Sequence, residues 1–228
     1  MITPEALFSR IQREITDKQI YLPEYFDVEE FEEIFANLFG ENGDNNDLYK
    51  IDFGASKGVI VPIDGDFVFK VGFAGEYDDC SNNGDFIFYP WNWCELENTI
   101  YQHALEVRAD RYFAQTKFFK KLEFYNEYLN VYIQTKVVPL HVYHPDHYHY
   151  EGEYESKVIR NFRCFDRIDL MWIRDFIDTY GLAGLEELGC FADEEDVNDL
   201  HSDNIGYYNG YPVIFDFSGY SSSSEWYS

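Results

Sequence analysis

Asp199-Leu-His-Ser-Asp-Asn204-Ile, followed by Val213-Ile-Phe-Asp216-Phe-Ser-Gly219, decides how this chain is read. The first phrase sets an acid and an amide five residues apart on a tight loop. The second ends an apolar strand in an acid followed by small residues, and the two together have the make-up of a base and two magnesium ligands at a phosphoryl-transfer site. Upstream, Phe67-Val-Phe-Lys70-Val puts a lysine inside a run of β-formers. A glycine-bearing turn, Phe53-Gly54-Ala-Ser56-Lys57-Gly58, precedes it. Cys94-Glu-Leu96-Glu97-Asn-Thr-Ile100-Tyr-Gln-His-Ala104 reads as a helix with Leu96, Ile100 and Ala104 on one face and Glu97 between them. Taken singly, Lys70 could be a strand-edge charge, Glu97 a solvated helix residue, and Asp199, Asp203 and Asn204 turn formers. The order of all five elements is the signal.

Composition bounds the reading. With 228 residues, 46% of them hydrophobic, the chain can bury a sizeable core, and 21 Phe and 20 Tyr make large rings its main filling. Seventeen Lys and Arg against 43 Asp and Glu give a formal charge of -26, which repels nucleic-acid phosphates and anionic headgroups. A direct nucleic-acid or membrane binder is thus not expected, and the charge suits a basic protein partner or serves solubility alone. Cys80, Cys94, Cys164 and Cys190 stand far apart without a CxxC pair, so reduced thiols are expected. The start, Met-Ile-Thr-Pro-Glu-Ala-Leu, has no signal-peptide pattern, and no apolar run is long enough to span a bilayer. The expectation is a soluble, cytoplasmic protein.

Along the chain, Thr3-Pro4-Glu5 supplies an N-cap, a proline at N1 and an acid in the first turn, and Leu7, Ile11 and Ile15 follow at helical spacing, which predicts a helix over 4–18. Asp27 to Gly40 predicts a second helix with an acidic start and a glycine stop. From Leu48 the period changes to strand. Tyr49 to Phe53, Val59 to Ile63 and Phe67 to Val71 are three strands, the last two joined at Asp64-Gly65. Tyr77 to Pro90 reads as a loop, and Ala114 to Phe119 and Val131 to Val138 as two more strands. Pro139 then breaks the pattern. His141, His144, His147 and His149 could bind a borderline metal or simply belong to an aromatic-rich loop. Asp169 to Gly181 predicts an amphipathic helix ending in glycine, Leu185 to Phe191 a shorter one, and Tyr207-Tyr-Asn-Gly-Tyr211 a hairpin. The division expected is a helical leader over 1–47, a strand-rich part over 48–138 and a mostly helical part over 139–228. The helix at Met171, Trp172, Ile173, Phe176 and Ile177 is expected to leave an apolar patch for self-association or a partner, with the leader helices as the intramolecular alternative.

With these motifs in place, the chain resembles the protein-kinase-like superfamily. Its Asp-Leu-His-x-x-Asn-Ile wording is closer to the aminoglycoside and choline phosphotransferase branch than to eukaryotic protein kinases. It also resembles small kinase-like proteins of phages and gut bacteria that share the Cys-Glu-Leu-Glu helix and the Asp-Phe-Ser-Gly ending. The resemblance covers about Tyr49 to Gly219 and implies an α+β, two-lobed fold with a five-stranded antiparallel N-lobe and a truncated, mostly helical C-lobe. It implies that Lys70 contacts ATP phosphates, that Glu97 positions Lys70, and that Asp199 accepts the acceptor's proton. Asn204 and Asp216 would hold Mg2+. Gly54, Ser56, Lys57 and Gly58 would cover the nucleotide phosphates, and the stretch from Gln134 through Lys136 to Val138 would meet adenine.

Three departures stand beside the resemblance: Val197-Asn198 precedes the catalytic aspartate, only Gly54 and Gly58 mark the glycine loop, and Ser218 is inserted in the metal motif. Only residues 220–228 follow Gly219, so the expected acceptor is not a peptide docked in the usual mode. Two functions follow as expectations: a minimal kinase-like protein that binds Mg-ATP and transfers phosphate, or a catalytically silent, acidic, phage-type inhibitor that blocks the basic groove of a host defence protein.

Overall fold

The computed structural model describes residues 1–24, 26–39, 47–54, 57–72, 75–78, 86–89, 93–145, 168–197 and 200–217. The chain is α+β and falls into two compact units, one from Met1–Asn98 and Thr116–Thr135, the other from Thr99–Gln115 and Lys136–Ser228. Among the described residues no helix is long and apolar enough to cross a membrane.

The first unit is built on a five-stranded antiparallel sheet of β1 (Tyr49–Phe53), β2 (Lys57–Pro62), β3 (Phe67–Gly72), β6 (Thr116–Glu123) and β7 (Tyr128–Thr135), in the order β1-β2-β3-β7-β6. Side chains alternate across a strand, so each strand divides its residues between two faces. Phe67, Phe69 and Val71 of β3, Ile60 of β2, Val131 of β7 and Leu122 of β6 share one buried cluster with α1 (Pro4–Asp17) and α2 (Val28–Ala36). From the helices come Leu7, Phe8, Ile11, Ile15, Phe31 and Phe35. Both helices start as their caps dictate: the Thr3 hydroxyl accepts from Ala6 N at 3.2 Å, and the Asp27 carboxylate accepts from Glu29 N at 2.9 Å. The Tyr49 hydroxyl donates to the Phe35 carbonyl at 2.8 Å in the interior, which ties the end of α2 to β1. The leader helices are therefore one layer of this unit, packed on its sheet.

Two expectations about strands change. β6 runs on past Phe119 to Glu123 and β7 begins at Tyr128 rather than Val131, because the hairpin turns at 124–127, where Phe124 N donates to Glu127 O at 2.8 Å. Lysines at 120 and 121 hid the far end of β6, but β6 is an edge, where charge is tolerated. The segment read as a loop over 77–90 contains an antiparallel pair, β4 (Gly75–Asp78) and β5 (Phe86–Tyr89). Its Phe-Ile-Phe-Tyr run is strongly β-forming and outweighs the polar residues around it.

α3 (Trp93–Val107) contributes its residues through Asn98 to the first unit. In the second unit, β8 (Val138–Pro139), β9 (Ile205–Tyr208) and β10 (Tyr211–Ile214) form a small sheet in the order β10-β9-β8. The β9–β10 turn sits on Asn209 and Gly210, with φ of 52° and 82°, as an Asn-Gly hairpin requires. After the one-turn α4 (Leu140–Tyr143) comes α5 (Leu170–Glu194), which is broken at Gly181, where φ 78° and ψ 169° interrupt the helix as the sequence expects.

Among the described residues, the α5 face expected as an apolar patch is covered. Trp172, Ile173 and Phe176 are each 0% exposed, and Met171 and Ile177 are partly buried. Tyr112, Tyr180 and the Gly206 carbonyl, which accepts from Trp172 Nε1 at 3.2 Å, occupy that face from within the unit. The leader helices cover the first unit's sheet.

Candidate functional site

The sheet face away from α1 and α2 carries charge. Lys70 lies between Phe69 and Val71 on β3 and therefore projects opposite to them. The short connection over 63–66 sets Val59 opposite Lys70, and Lys57, two residues before Val59, shares that face. Glu97 of α3 meets both lysines. Its Oε2 is 2.9 Å and its Oε1 3.1 Å from Lys70 Nζ, and Oε1 is 2.6 Å from Lys57 Nζ. The Glu97 side chain is 0% exposed, that of Lys70 3% and that of Lys57 6%. Three charged groups out of water are costly, and their mutual attraction repays that cost only in good geometry, so such a trio is weak evidence for stability. Glu95, the other acid on this turn of α3, is exposed.

Beside the trio, Gln134 Nε2 donates to Thr116 Oγ1 at 2.7 Å, both residues being buried. Gln134 lies in β7 between Val68 and Thr116, so its backbone polar groups belong to the sheet and not to an adenine edge. Lys136 follows the strand, and Val138 pairs with Tyr207 in β8. On the same face, burial pushes the Tyr132 phenol well above its ordinary value, with Glu95 and Cys94 adding to the shift.

The two glycines of the expected phosphate loop play different parts. Gly54 N donates to Lys57 O at 2.9 Å and closes the β1–β2 turn, and a side chain at Gly54 would meet nothing within 4 Å. At Gly58 a Cβ would stand 2.3 to 2.5 Å from the ring of Phe31. The absence of a side chain at Gly58 thus serves the seating of α2 on β2. Ser56 lies outside the described residues.

In the second unit, the Asn204 carbonyl accepts from Phe215 N at 3.0 Å and Asp216 N at 3.3 Å, so the two expected magnesium ligands are neighbours. Asn204 closes a 3-10 turn (Ser202–Asn204) and is buried, whereas Asp216 is half-buried at the end of β10. One carboxylate and one amide oxygen suit Mg2+, which keeps several waters and takes its remaining ligands from phosphate oxygens. Asp199 lies outside the described residues. Among the described residues no group of three or more His, Cys, Asp or Glu could hold a metal. Of the histidine cluster, His147 and His149 fall outside them, while His144 Nε2 lies 3.3 Å from Asp175 Oδ2 and 3.2 Å from the Tyr207 hydroxyl. The Tyr207 hydroxyl donates to Asp175 Oδ2 at 2.6 Å, and burial together with that carboxylate drives the phenol far above its ordinary value.

No known protein family matches the chain, and no curated protein does.

Sequence reasoning placed Lys57 in a turn facing phosphates and missed that it shares Glu97 with Lys70. The signal was present: the Asp64-Gly65 turn sets the β2–β3 register, and counting back from Val59 puts Lys57 on the Lys70 face. The His144–Asp175–Tyr207 contact had no such signal, because its members come from three elements distant in sequence.

Proposed function

We propose that the chain is a minimal kinase-like protein that binds Mg-ATP and transfers its terminal phosphoryl group to an unidentified acceptor. The observation that carries this reading is the doubly contacted Lys70–Glu97 pair, a strand lysine held by a helix glutamate 27 positions along the chain. A lysine fixed in this way has its ammonium oriented before a ligand arrives, which is what a phosphate-binding lysine needs. Lys57, on the same carboxylate, adds a second cation to a chain whose overall charge repels nucleotides. In this reading Asn204 and Asp216 hold Mg2+, which would neutralise developing phosphate charge, and Asp199 takes the proton of the attacking hydroxyl. Adenine would then be read by the backbone between Lys136 and Val138.

Calorimetric titration of the full chain with ATP, with and without Mg2+, tests the proposal. Magnesium-dependent binding is expected for the wild type and lost in Asp216→Ala. Asp199→Ala should bind as the wild type does but transfer nothing, because the base acts on the acceptor. Unchanged ATP binding in Asp216→Ala removes the metal assignment, and a wild type without binding heat at millimolar ATP removes the reading.

A further inference from the structure

Among the described residues, basic side chains gather at one other place, the edge strand β6. Lys117, Lys120 and Lys121 are all exposed there, and Arg10 and Arg13 are exposed on α1, which packs against β6. In a chain with 43 acids, none of these three lysines forms an ion pair among the described residues. Two of them, Lys120 and Lys121, stand on aromatic rings instead. The Lys120 ammonium lies 5.4 Å from the Phe8 centroid and 5.1 Å from that of Phe119, and the Lys121 ammonium is 3.7 Å from that of Tyr128. Phe118 and Tyr128 are themselves 45% and 46% exposed.

The backbone of this strand is open in part. The Phe124–Glu127 hydrogen bond closes the hairpin, so by the alternation of an antiparallel ladder Glu123 and Lys121 turn their N–H and C=O groups away from β7. At Glu123 the side-chain amide of Gln12 takes both: Gln12 Nε2 donates to Glu123 O at 2.7 Å and Glu123 N donates to Gln12 Oε1 at 2.8 Å. A side chain thus imitates one residue of a sixth strand. Upstream, from Lys121 to Lys117, the edge is lined by lysines and an exposed ring.

We infer that the β6 edge receives an extended acidic peptide segment of a partner protein, which adds as a strand along Lys117–Lys121. Main-chain hydrogen bonds would hold it, and its carboxylates would select the lysines. The occupant is a short peptide because only a short segment stays within the patch: at physiological salt charges are screened beyond about 8 Å, while a long polyanion would also meet the acidic remainder of the chain. A second copy is a poorer occupant. Its described acidic runs, Glu29 to Glu33 on α2 and Asp193 to Glu194 on α5, are helical and offer no extended strand. This inference is independent of nucleotide binding.

The test is fluorescence anisotropy of a labelled eight-residue peptide alternating Glu and Val, titrated with the full chain. Binding is expected, about tenfold weaker when salt is raised from low to near-molar concentration. Lys117→Glu, Lys120→Glu and Lys121→Glu together should abolish it. Lys121→Pro, which deletes an outward N–H without touching the β6–β7 ladder, should weaken it about tenfold. No anisotropy change with wild-type protein overturns the inference and leaves the lysines as guards against edge pairing. Wild-type affinity in Lys121→Pro overturns strand addition, and tighter binding of a single-stranded RNA of equal length overturns the peptide class.

Discussion

The two faces of the five-stranded sheet obey different rules. On one, Phe67, Phe69, Val71 and Ile60 meet the aromatic faces of α1 and α2, and the packing is dry and tight enough that Gly58 has no room for a methyl group beside Phe31. On the other, the same strands bury two lysines, a glutamine and a threonine, each held to a partner. Non-directional apolar burial stabilises the first face, and many volume-conserving sequences would serve there. The second face gains little from its charges and tolerates no missing partner, so its residues are better explained by what they hold in place than by the stability they add.

The largest effect should come from Glu97→Ala. Two buried ammonium groups would lose their shared carboxylate, and chemical denaturation should show a loss of about 3–5 kcal/mol. Replacing all three with apolar residues, as Lys57→Met, Lys70→Met and Glu97→Leu, should recover most of that loss. If the triple replacement is as unstable as the single one, the charged face is structural after all. On the dry face, Gly58→Ala should cost about 1–3 kcal/mol by overpacking against Phe31. The further change Phe31→Leu should recover part of it, and an unaffected stability in Gly58→Ala would show that α2 seats less closely than described.

Smaller effects sharpen the contrast. Gln134→Leu leaves the Thr116 hydroxyl without this partner and should cost about 1–2 kcal/mol, whereas adding Thr116→Val should bring the cost close to zero. The smallest concerns Tyr132, whose phenol keeps its proton in the folded state at a pH where an unfolded tyrosine loses it. The stability it contributes is complete below the ordinary tyrosine value near 10 and declines as pH rises above it. Stability profiles of wild type and Tyr132→Phe should therefore run parallel at neutral pH and diverge only above that value, and parallel profiles throughout would remove Tyr132 from the buried set.

What the sequence revealed follows the same division. α1, the β2–β3 and β9–β10 hairpins and the break at Gly181 were legible because caps, short turns and a positive-φ glycine act locally. The dry face was legible as strand periodicity, but not that α1 and α2 cover it, since an amphipathic helix does not state which surface it will meet. Lys70 with Glu97 was expected from the resemblance in motif order, not from spacing. The second lysine on Glu97, the burial of α5 within its unit and the β4–β5 pair depend on register or on contacts between distant elements, which composition conceals. At Gly58 the close approach of Phe31 gives the glycine a packing cause that the sequence did not show.

Whether the charged face exists to bind a nucleotide is tested most directly by the thermal shift of the full chain in Mg-ATP, compared with Lys70→Met. A ligand at 100 times its Kd adds about 2.7 kcal/mol to the folded state. The account predicts a clear rise in Tm for the wild type with ATP and Mg2+ together, and none for Lys70→Met under the same conditions. An equal rise in both proteins, or no rise in the wild type at millimolar Mg-ATP, would contradict it.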